Sequence, residues 1–289
     1  MEKIKLYQKP MYDGSETVTL ETYIHPSSPE ITAAPRPAMI VFPGGGYAFC
    51  SDREAEPIAM AYYAEGYNCF VLRYICGEKA KVGKPLLDAA QAVAHVRMNS
   101  EEYHIDPQKI AISGFSAGGH LAGMLATQWH IKELSKKLEI NNELMRPNAA
   151  ILGYAVVSCD VKTNEITFNN FLGSDNRSDE VNKKASINRL VDDRTCPMFI
   201  WHTATDDCVP VENSLILAQA LTENKIPYEL HIFPSGGHGL SRANAETSPD
   251  WAEDSYNLPY VARWVRWSLK WLESVFYNGK ISFNGKKEK

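Results

Sequence analysis

The 289-residue sequence holds no apolar run close to the roughly 20 residues that would cross a bilayer as a helix. That leaves no signal for a membrane partner. Its opening, Met1-Glu2-Lys3-Ile4-Lys5, lacks the apolar core of a secretion signal. No basic run interrupts the body, and 30 Lys and Arg against 35 Asp and Glu give a formal charge of −5, which argues against a nucleic-acid partner. The one lysine-rich stretch, Lys286-Lys287-Glu288-Lys289, reads as a solvated tail. Cysteine is sparse and scattered: Cys50, Cys69, Cys76, Cys159, Cys196 and Cys208 include no C-x-x-C pair, so a zinc site is not expected. These thiols read as reduced and mostly in the core, which points to the cytoplasm. There is no internal repeat and no low-complexity segment. What remains is a globular composition, 44% hydrophobic and 22% charged. It fits one large α/β domain over residues 1–289.

Strand and helix patterns alternate along the chain. Ile4–Tyr7 and Val18–Tyr23 predict an antiparallel entry pair around Asp13-Gly14. A proline-rich linker leads to the strand Ala38–Phe42. Ser51 and Glu54 have the spacing of a capping box, opening a helix that runs to Glu65 and stops at Gly66. Asn68–Tyr74 is a strand and Leu86–Ser100 a helix, with Asp88 placed to meet the helix dipole. Ala149–Val157 is an apolar strand, and Ser158–Asn182 reads as polar and irregular. A last helix spans about Leu258–Phe276, anchored by Tyr260, Trp264, Trp267 and Trp271, with Gly279 just beyond. Strands alternating with helices imply a mostly parallel, doubly wound sheet. Ligands of such sheets bind beyond the carboxyl ends of the strands.

The most informative stretch is Gly114-Phe115-Ser116-Ala117-Gly118. It follows the β-branched run Lys109–Ser113 and precedes His120–Ala126, whose Leu121, Met124 and Leu125 have helical spacing. Strand, sharp turn and helix is the context G-x-S-x-G needs to act as a nucleophile elbow. Gly114 and Gly118 supply the lack of bulk the turn demands, and the helix N-terminus favours negative charge beside Ser116. A serine needs a base, and the base an orienting carboxylate. Two later strands end in suitable residues. Pro197–His202 leads into Thr203-Ala204-Thr205-Asp206-Asp207-Cys208-Val209-Pro210, and Tyr228–Phe233 leads into Pro234-Ser235-Gly236-Gly237-His238-Gly239. Asp206 and His238 are the chosen partners, with Asp207 as the other acid and a helix cap as the plain alternative for Asp206. Pro43-Gly44-Gly45-Gly46-Tyr47, following another strand, offers backbone N–H groups. Those of Gly45 and Gly46, with Ala117, would make an oxyanion hole. His202 and His231 read as structural strand residues, and His120 as a helix-face residue beside the elbow. Tyr47, Phe49, Phe171 and Trp251 are candidates to line a sugar-binding cleft, each with packing as the plainer reading.

On these motifs the chain resembles the α/β-hydrolase superfamily, in the esterase/lipase branch that contains acetylxylan-esterase-like and feruloyl-esterase-like proteins. The resemblance runs from about Val18 to Phe276. It implies an α/β-hydrolase fold: a mostly parallel, eight-stranded twisted sheet in the order 1-2-4-3-5-6-7-8, only the second strand antiparallel, with helices on both faces. Within it, the acid stands four residues before the proline of D-x-x-V-P, which selects Asp206 over Asp207. Small cap insertions are expected at about 158–183 and 241–257. The implied activity is a serine carboxylesterase acting on short acyl esters of a small molecule, such as acetylated xylo-oligosaccharides, with no metal and no organic cofactor. Arylformamidase-like and feruloyl-ester hydrolysis are alternatives, as is a catalytically silent binding protein. Homodimers are common among such enzymes, although no interface signature stands in the sequence. One departure concerns the glycine loop: relatives often carry His before the three glycines, and here Pro43 takes that place.

Overall fold

Alternation along each strand sorts the core into two layers. In Arg36–Phe42 the side chains of Ala38, Ile40 and Phe42 pack on one face, while Met39 and Val41 pack on the other, all fully buried. A strand buried on both faces belongs inside a parallel sheet covered by helices. The computed structural model, which describes residues 1–31, 34–81, 83–161, 165–173 and 178–277, has that architecture. Its strands are β1 Glu2–Lys5, β2 Thr19–Tyr23, β3 Arg36–Phe42, β4 Asn68–Arg73, β5 Ile105–Phe115, β6 Ala149–Gly153, β7 Met198–Thr203 and β8 Tyr228–Phe233. They form one sheet in the order β1-β2-β4-β3-β5-β6-β7-β8. β2 runs antiparallel to both neighbours, and the pairs from β4 through β8 are parallel.

The α-helices are α1 Glu56–Tyr63, α2 Lys84–Met98, α3 Ala117–Gln128, α4 Lys132–Leu138, α5 Asn142–Met145, α6 Glu165–Leu172, α7 Asp179–Ala185, α8 Glu212–Glu223 and α9 Trp264–Tyr277. Residues of α1 and α9 (Ile58, Tyr62, Trp264, Trp271) share one core with Met39, Val41, Phe199 and Trp201. Residues of α2, α3 and α8 (Val93, Leu121, Leu217) share the other with Ile40, Phe42 and Ile112. Among the described residues no helix is long and apolar enough to cross a membrane.

Several local expectations are corrected. Ser51 makes no side-chain cap bond, and Glu54 ends a 3-10 turn instead of closing a capping box. Asp88 lies in the second turn of α2, fully buried. It accepts from the hydroxyls of Tyr7 and Tyr12 and from the Ile75 N–H, so its role is tertiary. Burial pushes its carboxyl up to about 7, against the pull of those donors. The segment expected to be irregular contains α6 and α7, and the run expected as one strand through Val157 stops at Gly153. Tyr260 precedes α9 and is half-exposed, whereas Trp264 and Trp271 are the buried anchors. Gly279 and Lys286–Lys289 fall outside the described residues.

Candidate active site

β5 ends at Phe115 and α3 begins at Ala117, so Ser116 alone makes the turn. It does so with φ 52° and ψ −119°, a conformation L residues rarely take and one that costs about 1–3 kcal/mol. The surroundings enforce it. Ser116 N–H donates to the Gly153 carbonyl, and the Ser116 carbonyl accepts from His120 and Val156. Two glycines permit the approach: a Cβ on Gly114 would stand 2.1 Å from the Gly118 oxygen, and one on Gly118 would stand 2.1 Å from the Phe42 oxygen.

The side chains named from sequence meet over this turn. His238 Nε2 lies 2.8 Å from Ser116 Oγ, and His238 Nδ1 lies 2.7 Å from Asp206 Oδ2. These partners assign the tautomer, with Nδ1–H donating to the carboxylate and Nε2 accepting from the serine hydroxyl. Asp206 is buried, while Asp207 is exposed, which separates the two candidate acids. Its other oxygen accepts from the N–H groups of Cys208 and Val209. Burial alone would raise the Asp206 carboxyl. Hydrogen bonds from His202, His238 and the Val209 N–H outweigh burial and hold the carboxyl well below the usual carboxylate range.

His202 is fully buried. Its Nε2 donates to the Val209 carbonyl, with Asp206 Oδ2 at 3.4 Å, and its Nδ1 accepts from the Ser214 hydroxyl. It packs behind the acid.

The glycine loop has a clear hydrogen-bond logic. Every carbonyl from Pro43 to Tyr47 is taken: Pro43 by Tyr74 OH, Gly44 by Ser51 N–H, Gly45 by Ala48 N–H, Gly46 by Asn170 Nδ2 at 2.7 Å, and Tyr47 by Gly77 N–H. The Gly44 N–H donates to Glu54 Oε2 at 2.8 Å. The N–H groups of Gly45, Gly46 and Ala117 donate to nothing among the described residues. With positive φ at Gly45 (124°) and Gly46 (61°), the loop is a nest of donors with no acceptor of its own. The bracing that a histidine would supply comes here from Glu54, Tyr74 and Asn170, distant in sequence from one another.

Of the four aromatic candidates, two are corrected. Tyr47 is fully buried and Phe171 is 3% exposed. Their rings pack together at 5.1 Å and both pack on His120, so neither lines an open cleft. His120 lies on α3 beside the elbow, as read from the sequence. It is fully buried, its Nδ1 accepts from Tyr47 OH at 2.7 Å, and its Nε2 donates to the Ala185 carbonyl at 2.8 Å. Burial pushes its imidazole down to about 4, so it is neutral at pH 7 and ties the glycine loop to α7. Phe49 and Trp251 are exposed, at 61% and 75%. Phe49 closes the glycine loop through its N–H to the Gly45 carbonyl, and Trp251 packs edge-on to Tyr256, whose hydroxyl donates to the His238 carbonyl. Among the described residues no group of three or more His, Cys, Asp or Glu is gathered to hold a metal ion.

Chemically, the arrangement offers a hydroxyl hydrogen-bonded to an imidazole, that imidazole hydrogen-bonded to a buried carboxylate, and neighbouring backbone N–H groups that donate to nothing among the described residues. Residues 26–221 match the BD-FAE family. The chain is 39% identical over 232 residues to endo-1,4-beta-xylanase B of Butyrivibrio fibrisolvens, a match covering 79% of this chain and 36% of that protein. It is 29% identical over 208 residues to the acetylxylan esterase of Xylanibacter ruminicola, covering 70% and 41%. It thus matches well under half the length of these curated relatives. Among solved structures, the acetyl ester-xyloside bifunctional hydrolase of Caldicellulosiruptor lactoaceticus superposes with a TM-score of 0.81 at 36% identity, over 95% of this chain and 96% of that one.

Proposed function

The chain belongs to the BD-FAE family of α/β-fold ester hydrolases, and from that premise we propose that it is a serine carboxylesterase removing short acyl groups, acetyl foremost, from acetylated xylo-oligosaccharides. The observation that carries the reading is the continuous line from Ser116 Oγ through His238 to Asp206, beside a loop whose unpaired groups are N–H donors. The acetyl and xylose parts rest on similarity to an acetylxylan esterase and to an acetyl ester-xyloside hydrolase.

In the proposed reaction, Ser116 Oγ attacks the ester carbonyl carbon while His238 Nε2 takes the hydroxyl proton. The carbonyl π electrons move to oxygen, and that oxyanion accepts from the N–H groups of Gly45, Gly46 and Ala117. Asp206 holds the imidazole in register and stabilises its charged form. Collapse breaks the bond to the alcohol oxygen, which takes the proton from Nε2. Water then gives a proton to Nε2 and attacks the acyl-serine carbonyl. A second collapse releases the acid and returns the proton to Ser116.

We read the described parts of the segments 158–183 and 241–257 as walls of the acyl and alcohol pockets, and Phe49 and Trp251 as surfaces for sugar stacking. In an intracellular setting the substrate would be soluble oligosaccharide rather than polymer.

The test is a substrate panel of acetylated xylo-oligosaccharide, p-nitrophenyl esters of increasing chain length, a feruloylated sugar and N-formylkynurenine. The expected order puts acetyl esters first, with Ser116→Ala lowering turnover by several orders of magnitude. Faster hydrolysis of long-chain, feruloyl or formamide substrates would move the assignment to that class. Phe49→Ala and Trp251→Ala should raise KM for the oligosaccharide and leave p-nitrophenyl acetate unaffected.

A further inference from the structure

Glu54 is one of the buried acids that the proposed chemistry leaves unused. Glu54 is 4% exposed, and both its oxygens are occupied: Oε2 by the Gly44 N–H, Oε1 by Tyr154 OH at 2.6 Å. The Tyr154 oxygen accepts in turn from the Ser241 N–H at 2.9 Å, three residues beyond His238. Burial and the adjacent Glu54 push the Tyr154 phenol well above its ordinary value, so it remains a donor to the carboxylate. The preceding residue grips the same histidine loop. Arg53 Nε donates to the Thr247 carbonyl and Nη2 to the Gly239 carbonyl, both at 2.7 Å, and the Ser241 hydroxyl donates back to the Arg53 carbonyl. Two consecutive residues of opposite charge therefore hold the two loops that must close over Ser116.

Local roles do not account for Glu54. It caps no helix, since its oxygens reach residues 10 and 100 positions away. Filling space would be done at lower cost by an apolar side chain, because taking a carboxylate out of water is expensive unless its lone pairs are met. Here they are met by the first N–H of the oxyanion loop and by the link to the histidine loop.

We propose that Glu54 is a positioning residue that fixes the oxyanion loop relative to His238, through Gly44 on one side and Tyr154 and Ser241 on the other. The inference rests on the esterase reading. Gly44 does not itself face the reacting oxygen; holding its N–H inward fixes the peptide planes that aim Gly45 and Gly46. The effect therefore belongs to the transition state, where the oxyanion exists, and not to substrate binding.

The experiment measures kcat and KM on p-nitrophenyl acetate per active site, with sites counted by fluorophosphonate titration. Glu54→Ala should lower kcat about 10²-fold with KM within about 2-fold, the pattern of a lost oxyanion interaction. Glu54→Gln, whose amide oxygen still accepts from Gly44, should recover to within about 10-fold of the wild type. Tyr154→Phe added to Glu54→Ala should cost little more, because both act on one connection. Wild-type kcat per titrated site in Glu54→Ala overturns the proposal whatever its thermal stability, as does equal loss in the Gln and Ala variants. Should Glu54→Ala not fold, Glu54→Gln and Tyr154→Phe decide, and wild-type kcat in both refutes the role. A wild-type protein that neither labels nor turns over the ester removes the esterase reading itself, a separate failure visible before any variant is compared.

Discussion

Replacing Gly118 with alanine adds one carbon where backbone already stands. The new Cβ would lie 2.1 Å from the Phe42 oxygen, 2.4 Å from the Pro43 oxygen and 2.7 Å from the Pro43 carbonyl carbon. None of these atoms can rotate away. Phe42 is in register with Gly114 in the β3–β5 pair, and the Pro43 carbonyl is held by Tyr74 OH. Opening the shortest contact to the ordinary 3.4 Å means separating α3 from the end of β3 by about 1.3 Å. Overpacking of this kind costs about 1–3 kcal/mol, which lowers Tm by roughly 2–5 °C in a chain of this size. The catalytic cost is larger. α3 carries the Ala117 N–H and Pro43 leads into the glycine loop, so their separation would displace the proposed oxyanion donors from the proposed nucleophile, and a 1 Å misplacement costs about 10²-fold in rate. The assays are calorimetry and p-nitrophenyl acetate hydrolysis per titrated site. Gly237→Ala serves as the stability control, because a Cβ there meets nothing within 4 Å, and its Tm should not change. A Gly118→Ala protein with wild-type Tm and kcat would refute the close approach on which the elbow depends.

Asp206→Asn should lower kcat about 10⁴-fold, since an amide stabilises the wrong imidazole tautomer. Because the folded carboxyl is held below its unfolded value, its stabilisation is full above about pH 4 and is lost as pH falls toward the folded value. Denaturant midpoints of the variant should therefore fall less steeply than the wild type below pH 4. Asp88 works in the opposite sense. Its carboxyl keeps a proton up to about 7 when folded, so wild-type stability should decline from about pH 4 to 7, by up to about 1.4 kcal/mol per unit, and level off above; an unchanged slope in Asp88→Asn would contradict that burial. Tyr47→Phe removes the donor to buried His120 Nδ1 and should cost about 1–3 kcal/mol in stability. KM for acetylated oligosaccharide should stay put, and a selective rise would put Tyr47 in the cleft after all.

The architecture was legible because it is written in local periodicity. β3 is a continuous apolar run from Pro37 to Phe42, and each candidate group follows the end of a strand, so the topology brings Gly45, Ser116, Asp206 and His238 to one edge of the sheet. Ser116 is readable because its turn needs glycines at fixed offsets, whereas the choice of Asp206 over Asp207 comes from the resemblance, through the proline of D-x-x-V-P.

The supports were not legible for the converse reason. Glu54 sits three residues after a serine and mimics a capping box, but its partners are Gly44 and Tyr154. His120 has the position of an elbow neighbour, and nothing near it in sequence announces Tyr47 or Ala185. Asp88 reads as a helix-start acid until Tyr7, Tyr12 and Ile75 arrive from the sheet edge. Aromatic residues in loops have no period to reveal burial, so Tyr47 and Phe49, two residues apart, could not be sorted into core and surface. The segment around α6 was misread because polar composition masks short amphipathic helices whose Phe168 and Phe171 are buried.

The most direct test of the central claim is to treat the protein with a fluorophosphonate and map the adduct by peptide mass spectrometry. Activation of one hydroxyl by His238 predicts stoichiometric labelling at Ser116 and labelling slowed by orders of magnitude in His238→Ala. Modification at another residue, or an equal rate in the two proteins, would contradict it.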